Sequence, residues 1–158
     1  MKRFIFGMVL CALVMGCDNY PKDVENSLQK IRKSGILKVG VIEHNPWIYE
    51  EDGKMRGSEV KLVEAFSKTL GGAPEWHIYP EAVAIKKLKN NELDLVAGWL
   101  TADSPRHKQV GLTRPYLKTG EDKIDHHVLA LQRGENAFLI ELESFLASYY
   151  DGVENHGL

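Results

Sequence analysis

Apolar positions along the chain alternate between helical spacing and short β-branched runs. Val24, Leu28 and Ile31 share one face of a helix expected over residues 23–33, with Asp23 as its N-cap and Gly35 as its stop. The run ILKVGVI at 36–42 has strand length and composition, and residues 43–57 read as a loop with Asn45-Pro46 and Asp52-Gly53 as turn signals. Ser58 is placed to cap a helix over 59–70 that buries Leu62, Val63, Phe66 and Leu70. A second strand over 75–79 precedes a helix over 81–90, with Ala82, Ile85 and Leu88 facing inward. The third strand covers 93–97, and 110–113 is a fourth short extended piece. Residues 118–125 read as loop, 127–131 as a last strand and 135–149 as a final amphipathic helix. Strand–helix–strand–helix–strand order implies parallel pairing with right-handed crossovers. The fold class is therefore α/β: an open, mostly parallel sheet flanked by helices.

A length of 158 residues fits one folded domain, and 44% apolar with 27% charged residues is ordinary for a packed core. The net charge of −2, with acids and bases interspersed, leaves no basic stripe for nucleic acid. Lys2 and Arg3 followed by the apolar run 4–15 form a signal peptide, because twelve residues are too few to span a bilayer. Val14-Met15-Gly16-Cys17 resembles a bacterial lipobox, which implies cleavage after residue 16, lipidation at Cys17 and a palmitate-bearing membrane anchor. Cys11 would leave with the signal, so no disulfide is expected. The mature balance would be −4. Asp18 after the cysteine resembles an inner-membrane retention signal, if the host is Gram-negative. The expected layout is signal peptide 1–16, tether and helix 17–34, lobe 35–150 and tail 151–158.

The chemistry concentrates in LDLVAGWLTADSPRHKQVGLTRPY, residues 93–116. Gly98 permits a turn and a close backbone approach. Ser104-Pro105 reads as an N-cap with proline at the first helical position. Arg106 then falls in the first turn, where a cation opposes the helix dipole but reinforces the binding of an external anion. Two readings stay open on these residues alone: a small-anion cradle, and a helix start with a solvated arginine.

The same stretch, with Arg106, Val110, Pro115 and Tyr116 in register, resembles the extracytoplasmic solute-binding proteins of ABC transporters, polar amino-acid type (family 3). The resemblance implies that Arg106 holds a solute carboxylate, assisted by Thr101 and the backbone near Gly98, with Trp47 and Trp99 as aromatic walls. It implies a small anionic or zwitterionic solute, an ABC permease or partner lobe, a periplasmic location, no enzyme activity and no cofactor. The chain departs from the pattern in the loop before Arg106 and at Gly57-Ser58-Glu59, where the family carries an aromatic after the glycine. The family's second lobe falls between the equivalents of Tyr116 and His127, which here are separated by ten residues. The retained last helix favours a self-sufficient single lobe. One Arg–carboxylate pair contributes about 1.5–3 kcal/mol, while a millimolar Kd takes about 4 kcal/mol. Weak or no binding by a monomer is therefore expected, unless a second copy or partner covers the cleft. A second reading keeps the lobe as a protein-interaction or sensory module without a solute.

Trp47 and Trp99 also fit core packing or a partner surface. His44 reads as an exposed loop residue, and Asp94 as a structural hydrogen-bonder rather than a catalyst. Adjacent His126 and His127 on a strand point to opposite faces and cannot chelate a metal from one side. Asp103, Ser104 and His107 lack a nucleophile elbow, so they do not make a hydrolase triad. No phosphate-binding loop, dinucleotide fingerprint or metal spacing occurs.

Overall fold

The computed structural model describes residues 22–155, without the side chains of Arg106, His107 and residues 152–155. The expected signal peptide and the lipidation at Cys17 lie outside the described residues. The elements are α1 (Ser27–Ser34), β1 (Ile36–Val41), β2 (Tyr49–Glu51), β3 (Lys54–Arg56), α2 (Ser58–Thr69), β4 (Ala73–Ile78) and α3 (Glu81–Lys89). They continue with β5 (Leu95–Thr101), a 3-10 turn (Pro105–Gln109), β6 (Gly111–Leu112), β7 (Leu117–Thr119), β8 (Asp125–Leu131) and α4 (Asn136–Asn155).

The main sheet runs β4-β1-β5-β8-β6, with β7 also on β8. β4, β1 and β5 are parallel, as the strand–helix alternation requires, and β8 adds antiparallel to β5. Alternating side chains divide the core. Leu37, Val39 and Val41 of β1 join Phe66 of α2 and Phe138 of α4 on one face. Val96 and Leu100 of β5 join Ile85 and Leu88 of α3 on the other. The result is a sheet with α1, α2 and α4 on one side and α3 opposite.

Several local expectations are corrected. The loop over 43–57 contains the hairpin β2–β3, because Asp52 and Gly53 both take positive φ, the geometry of a tight two-residue turn. α2 starts without a side-chain cap from Ser58: its N-cap is Gly57, whose φ of 115° and closeness to the Trp47 carbonyl exclude a side chain. Asp23 does not sit at the N-cap position of α1, yet its carboxylate accepts from the Leu28 N–H at 3.1 Å. Val24 is 72% exposed and off the buried face, and Ala82 is exposed while Ala84 is buried. The piece over 118–125 contributes Thr119 to a β7–β8 hairpin. The last helix continues past Tyr149 to Asn155.

The segment between Tyr116 and His127 closes on itself. Leu117 pairs with His127 and Thr119 with Asp125, so two adjacent antiparallel segments are joined by residues 120–124.

Candidate functional site

In an open parallel sheet the crevice lies beyond the carboxyl ends of the strands. Here those ends carry the 43–47 loop after β1, Tyr79 after β4, and the end of β5. β5 does not stop at Ala97. It runs on through Gly98 and Trp99 by bulging: the three residues between Val96 and Leu100 face one, Leu129, on β8. Gly98 serves the close approach its sequence position suggested, since a Cβ there would lie 2.5 Å from the carbonyl oxygen of Ile42. Trp99 takes φ 56°, a left-handed backbone rare for a bulky residue.

Glu59, in the first turn of α2, holds this bulge. It is 2% exposed, and its Oε2 accepts from the Trp99 N–H at 2.9 Å. The Gly98 amide also bonds it, and the Tyr116 hydroxyl donates to its Oε1. Burial raises the Glu59 pKa above the ordinary carboxylate value, and these donors and nearby His44 counter the shift. Burial and the adjoining Glu59 charge push the Tyr116 hydroxyl far above the usual phenol range. Tyr116 stacks on Tyr150 of α4, whose hydroxyl burial pushes up to about 12.

The bulge aims the Trp99 indole into a column of rings. Trp47 stacks on one face at 3.8 Å between centroids with 1° between planes. His127 lies against it at 3.7 Å and 31°. His127 is 1% exposed: Nε2 meets Thr119 Oγ1 at 2.8 Å, and Nδ1 is a buried nitrogen without a hydrogen-bond partner. Burial lowers its pKa, opposed by Asp125 and by backbone carbonyl oxygens at Trp99 and Leu100. His44 is exposed, 6.4 Å from the Trp99 ring.

Trp47, Gly98 and Trp99 meet at the strand tips. Thr101 ends β5 and hydrogen-bonds Asp103, which also pairs with Lys123 at 3.3 Å. Arg106 sits in the turn that follows; its side chain lies outside the described part. That turn is a five-residue 3-10 segment rather than an α-helix start, so it lacks a long-helix macrodipole. Its position is fixed from both sides. Lys89 Nζ donates to Gln109 Oε1 at 2.8 Å, and Arg133 donates to the carbonyls of Lys108 and Val110. Asp94 lies at the opposite end of the strands, where its Oδ2 accepts from the Lys38 N–H at 2.8 Å, a structural role as expected. Among the described residues no His/Cys/Asp/Glu cluster could hold a metal, and no helix is long and apolar enough to cross a membrane.

Two residues of this region are not among the expected site residues: Glu59, which the sequence shows only as part of the Gly57-Ser58-Glu59 step, and His127, rejected as a metal ligand. The clue for His127 was its strand parity with Leu129 and Leu131, which puts it on the core face.

Comparison with known proteins agrees with this architecture. The model of the bacterial extracellular solute-binding proteins, family 3, matches residues 37–150, and the chain belongs to that family. It is 26% identical over 120 residues to a probable histidine-binding protein of Campylobacter jejuni, covering 73% of this chain and 46% of that protein. It is 35% identical over 105 residues to membrane-bound lytic murein transglycosylase F of Vibrio cholerae, covering 63% of this chain and 19% of that protein. The chain thus spans less than half the length of these curated relatives. Domain 1 of the arginine-binding protein TmArgBP, solved in an arginine-bound form as a Phe57Trp mutant, superposes with a TM-score of 0.72 at 21% identity. That match covers 78% of this chain and 98% of the solved domain.

Proposed function

We propose that this lobe recognises a small carboxylate or amino-acid-like solute outside the cytoplasm and is tethered to the membrane through a lipid on Cys17. The carrying observation is the meeting of the Gly98–Trp99 bulge and the Trp47 ring at the strand tips, with the turn bearing Arg106 a few residues further along the chain. Arg106 anchors the carboxylate, Thr101 and the backbone near Gly98 assist, and Trp47 and Trp99 form the aromatic surface. An ABC permease is the natural recipient of the solute. The protein acts as a binder, not an enzyme.

Two of the relatives support this reading. One is named for binding histidine, and domain 1 of TmArgBP was crystallised by itself with arginine. A solitary lobe of this fold therefore can hold a solute. That weighs against expecting no monomer binding, while an open half-cleft still buries little of a ligand. Calorimetric titration of the mature chain with L-arginine, L-histidine, L-cystine and L-glutamate tests the proposal. The expected result is binding to at least one of them that falls at least tenfold in Arg106→Ala. Absence of binding to all four overturns it.

The second reading, a sensory or docking module, draws on the 35% identity to a stretch of a much longer wall enzyme. It predicts binding of murein peptide fragments, or of a partner protein, in place of free amino acids.

A further inference from the structure

A site meant to sandwich a solute between two flat groups needs an opening one ring wide. Such an opening exists here, and it is filled by the protein itself. Trp47 and His127 lie on the two sides of Trp99, at 3.8 Å and 3.7 Å from its ring. Those are stacking separations, so removing the indole would leave a slot of one aromatic thickness. We propose that Trp99 is an internal occupant of the solute seat. A solute carrying a flat π-system, an aromatic ring or a guanidinium, displaces it and stacks between Trp47 and His127. The inference rests on the solute-binding reading above, replaces Trp99 by His127 as the second wall, and adds the solute class and a gate.

Three observations single out Trp99 rather than either neighbour. Its backbone is left-handed, a conformation that costs energy for a large side chain and that simple core filling does not need. The bulge that permits it is inserted between ladder pairs on either side, so regular pairing resumes at Leu100. The backbone is held at its N–H by Glu59, so the indole can swing about its side-chain torsions while the strand stays in place. On the far wall, the buried Nδ1 of His127 makes no hydrogen bond of good geometry, although the backbone carbonyls of Trp99 and Leu100 lie beside the ring. A buried polar atom of that kind costs free energy unless something supplies its hydrogen bond. A displaced indole gives it access to a polar edge of the incoming solute.

Self-occupancy taxes affinity by the fraction of time the seat is open. An indole in place nine-tenths of the time weakens apparent binding about tenfold. Trp99→Gly removes the occupant and suits the left-handed backbone. The wild type and this variant are titrated with L-arginine, L-histidine and L-tryptophan, with L-glutamate as the non-stacking control. The proposal expects the variant to bind one of the flat solutes about tenfold more tightly, with no gain for glutamate. Equal or weaker binding of every flat solute by a folded Trp99→Gly protein overturns it and leaves the solute reading standing. No binding of any amino acid by either protein overturns both. Fluorotryptophan-labelled wild-type protein gives an independent readout if the variant does not fold. In the proposal, a saturating flat solute moves the Trp99 fluorine resonance to a solvent-exposed position and leaves that of Trp76 in place. A Trp99 resonance unmoved under saturation overturns the displacement.

Discussion

Glu59 Oε2 accepts a hydrogen bond from the backbone N–H of Trp99 at 2.9 Å across forty residues of sequence. Through it, a helix start on one side of the sheet sets the backbone of a strand tip. The carboxyl group is nearly inaccessible to water, so its protonation bears directly on this contact.

Because burial raises the Glu59 pKa, the folded state holds this proton more tightly than the unfolded chain. The associated stability is fully present below the ordinary carboxylate pKa. It is lost as pH rises through the raised folded value, and the slope then vanishes. Urea melts of the wild type and Glu59→Gln across that window check the sign: the variant's stability profile should be flatter. Gln can still accept from Trp99 and can donate to the Tyr116 oxygen. Glu59→Ala leaves buried donors unpaired and should cost about 3 kcal/mol.

Asp23 and Glu135 clamp the segment leading into α1 to the start of α4. Asp23 accepts from Leu28 N–H at 3.1 Å and Phe138 N–H at 2.9 Å, and so serves the first turns of both α1 and α4. Glu135 accepts from the N–H groups of Glu25 at 2.7 Å and Ser27 at 3.0 Å. Each alanine variant should lose about 2–3 kcal/mol in denaturant unfolding. The double variant should lose less than the sum, since both acids fix the same pair of segments.

At Gly98 an added methyl would meet the Cβ and the carbonyl oxygen of Ile42, both at 2.5 Å. A backbone oxygen cannot move aside as a flexible side chain can. Gly98→Ala should therefore destabilise by about 3 kcal/mol and disturb the Trp47–Trp99 stack, readable as a change in tryptophan emission of the folded state.

Asp94 provides the contrast. Its carboxylate bonds the Lys38 N–H at the amino-terminal end of the sheet, away from the ring column. Asp94→Ala should cost about 1 kcal/mol in thermal or urea unfolding while the emission of the Trp47–Trp99 pair stays as in the wild type.

Much of the fold was legible because each element announces itself locally. The β-branched run at 36–42 and the stripe of Leu62, Val63 and Phe66 need no partner to be recognised. The hairpin after β1 was missed because strands of three residues are too short to show alternation. β5 was cut short at Gly98 because a glycine inside an apolar run reads as an end, whereas here it marks a bulge. At the turn holding Arg106, Ser104-Pro105 suits a 3-10 segment as well as an α-helix start, so spacing alone does not separate the two.

The chain by itself determined the family and the alternation of β1, α2, β4, α3 and β5 that makes the parallel part of the sheet. Those follow from periodicity and short-range spacing, which a sequence carries directly. Only the tertiary structure decided that Glu59 is buried against Gly98 and Trp99, and that Trp47, Trp99 and His127 form one column of rings. The physical reason is that burial and stacking are relations between distant segments. A carboxylate's environment is set by the amides that fold brings to it, not by its neighbours along the chain.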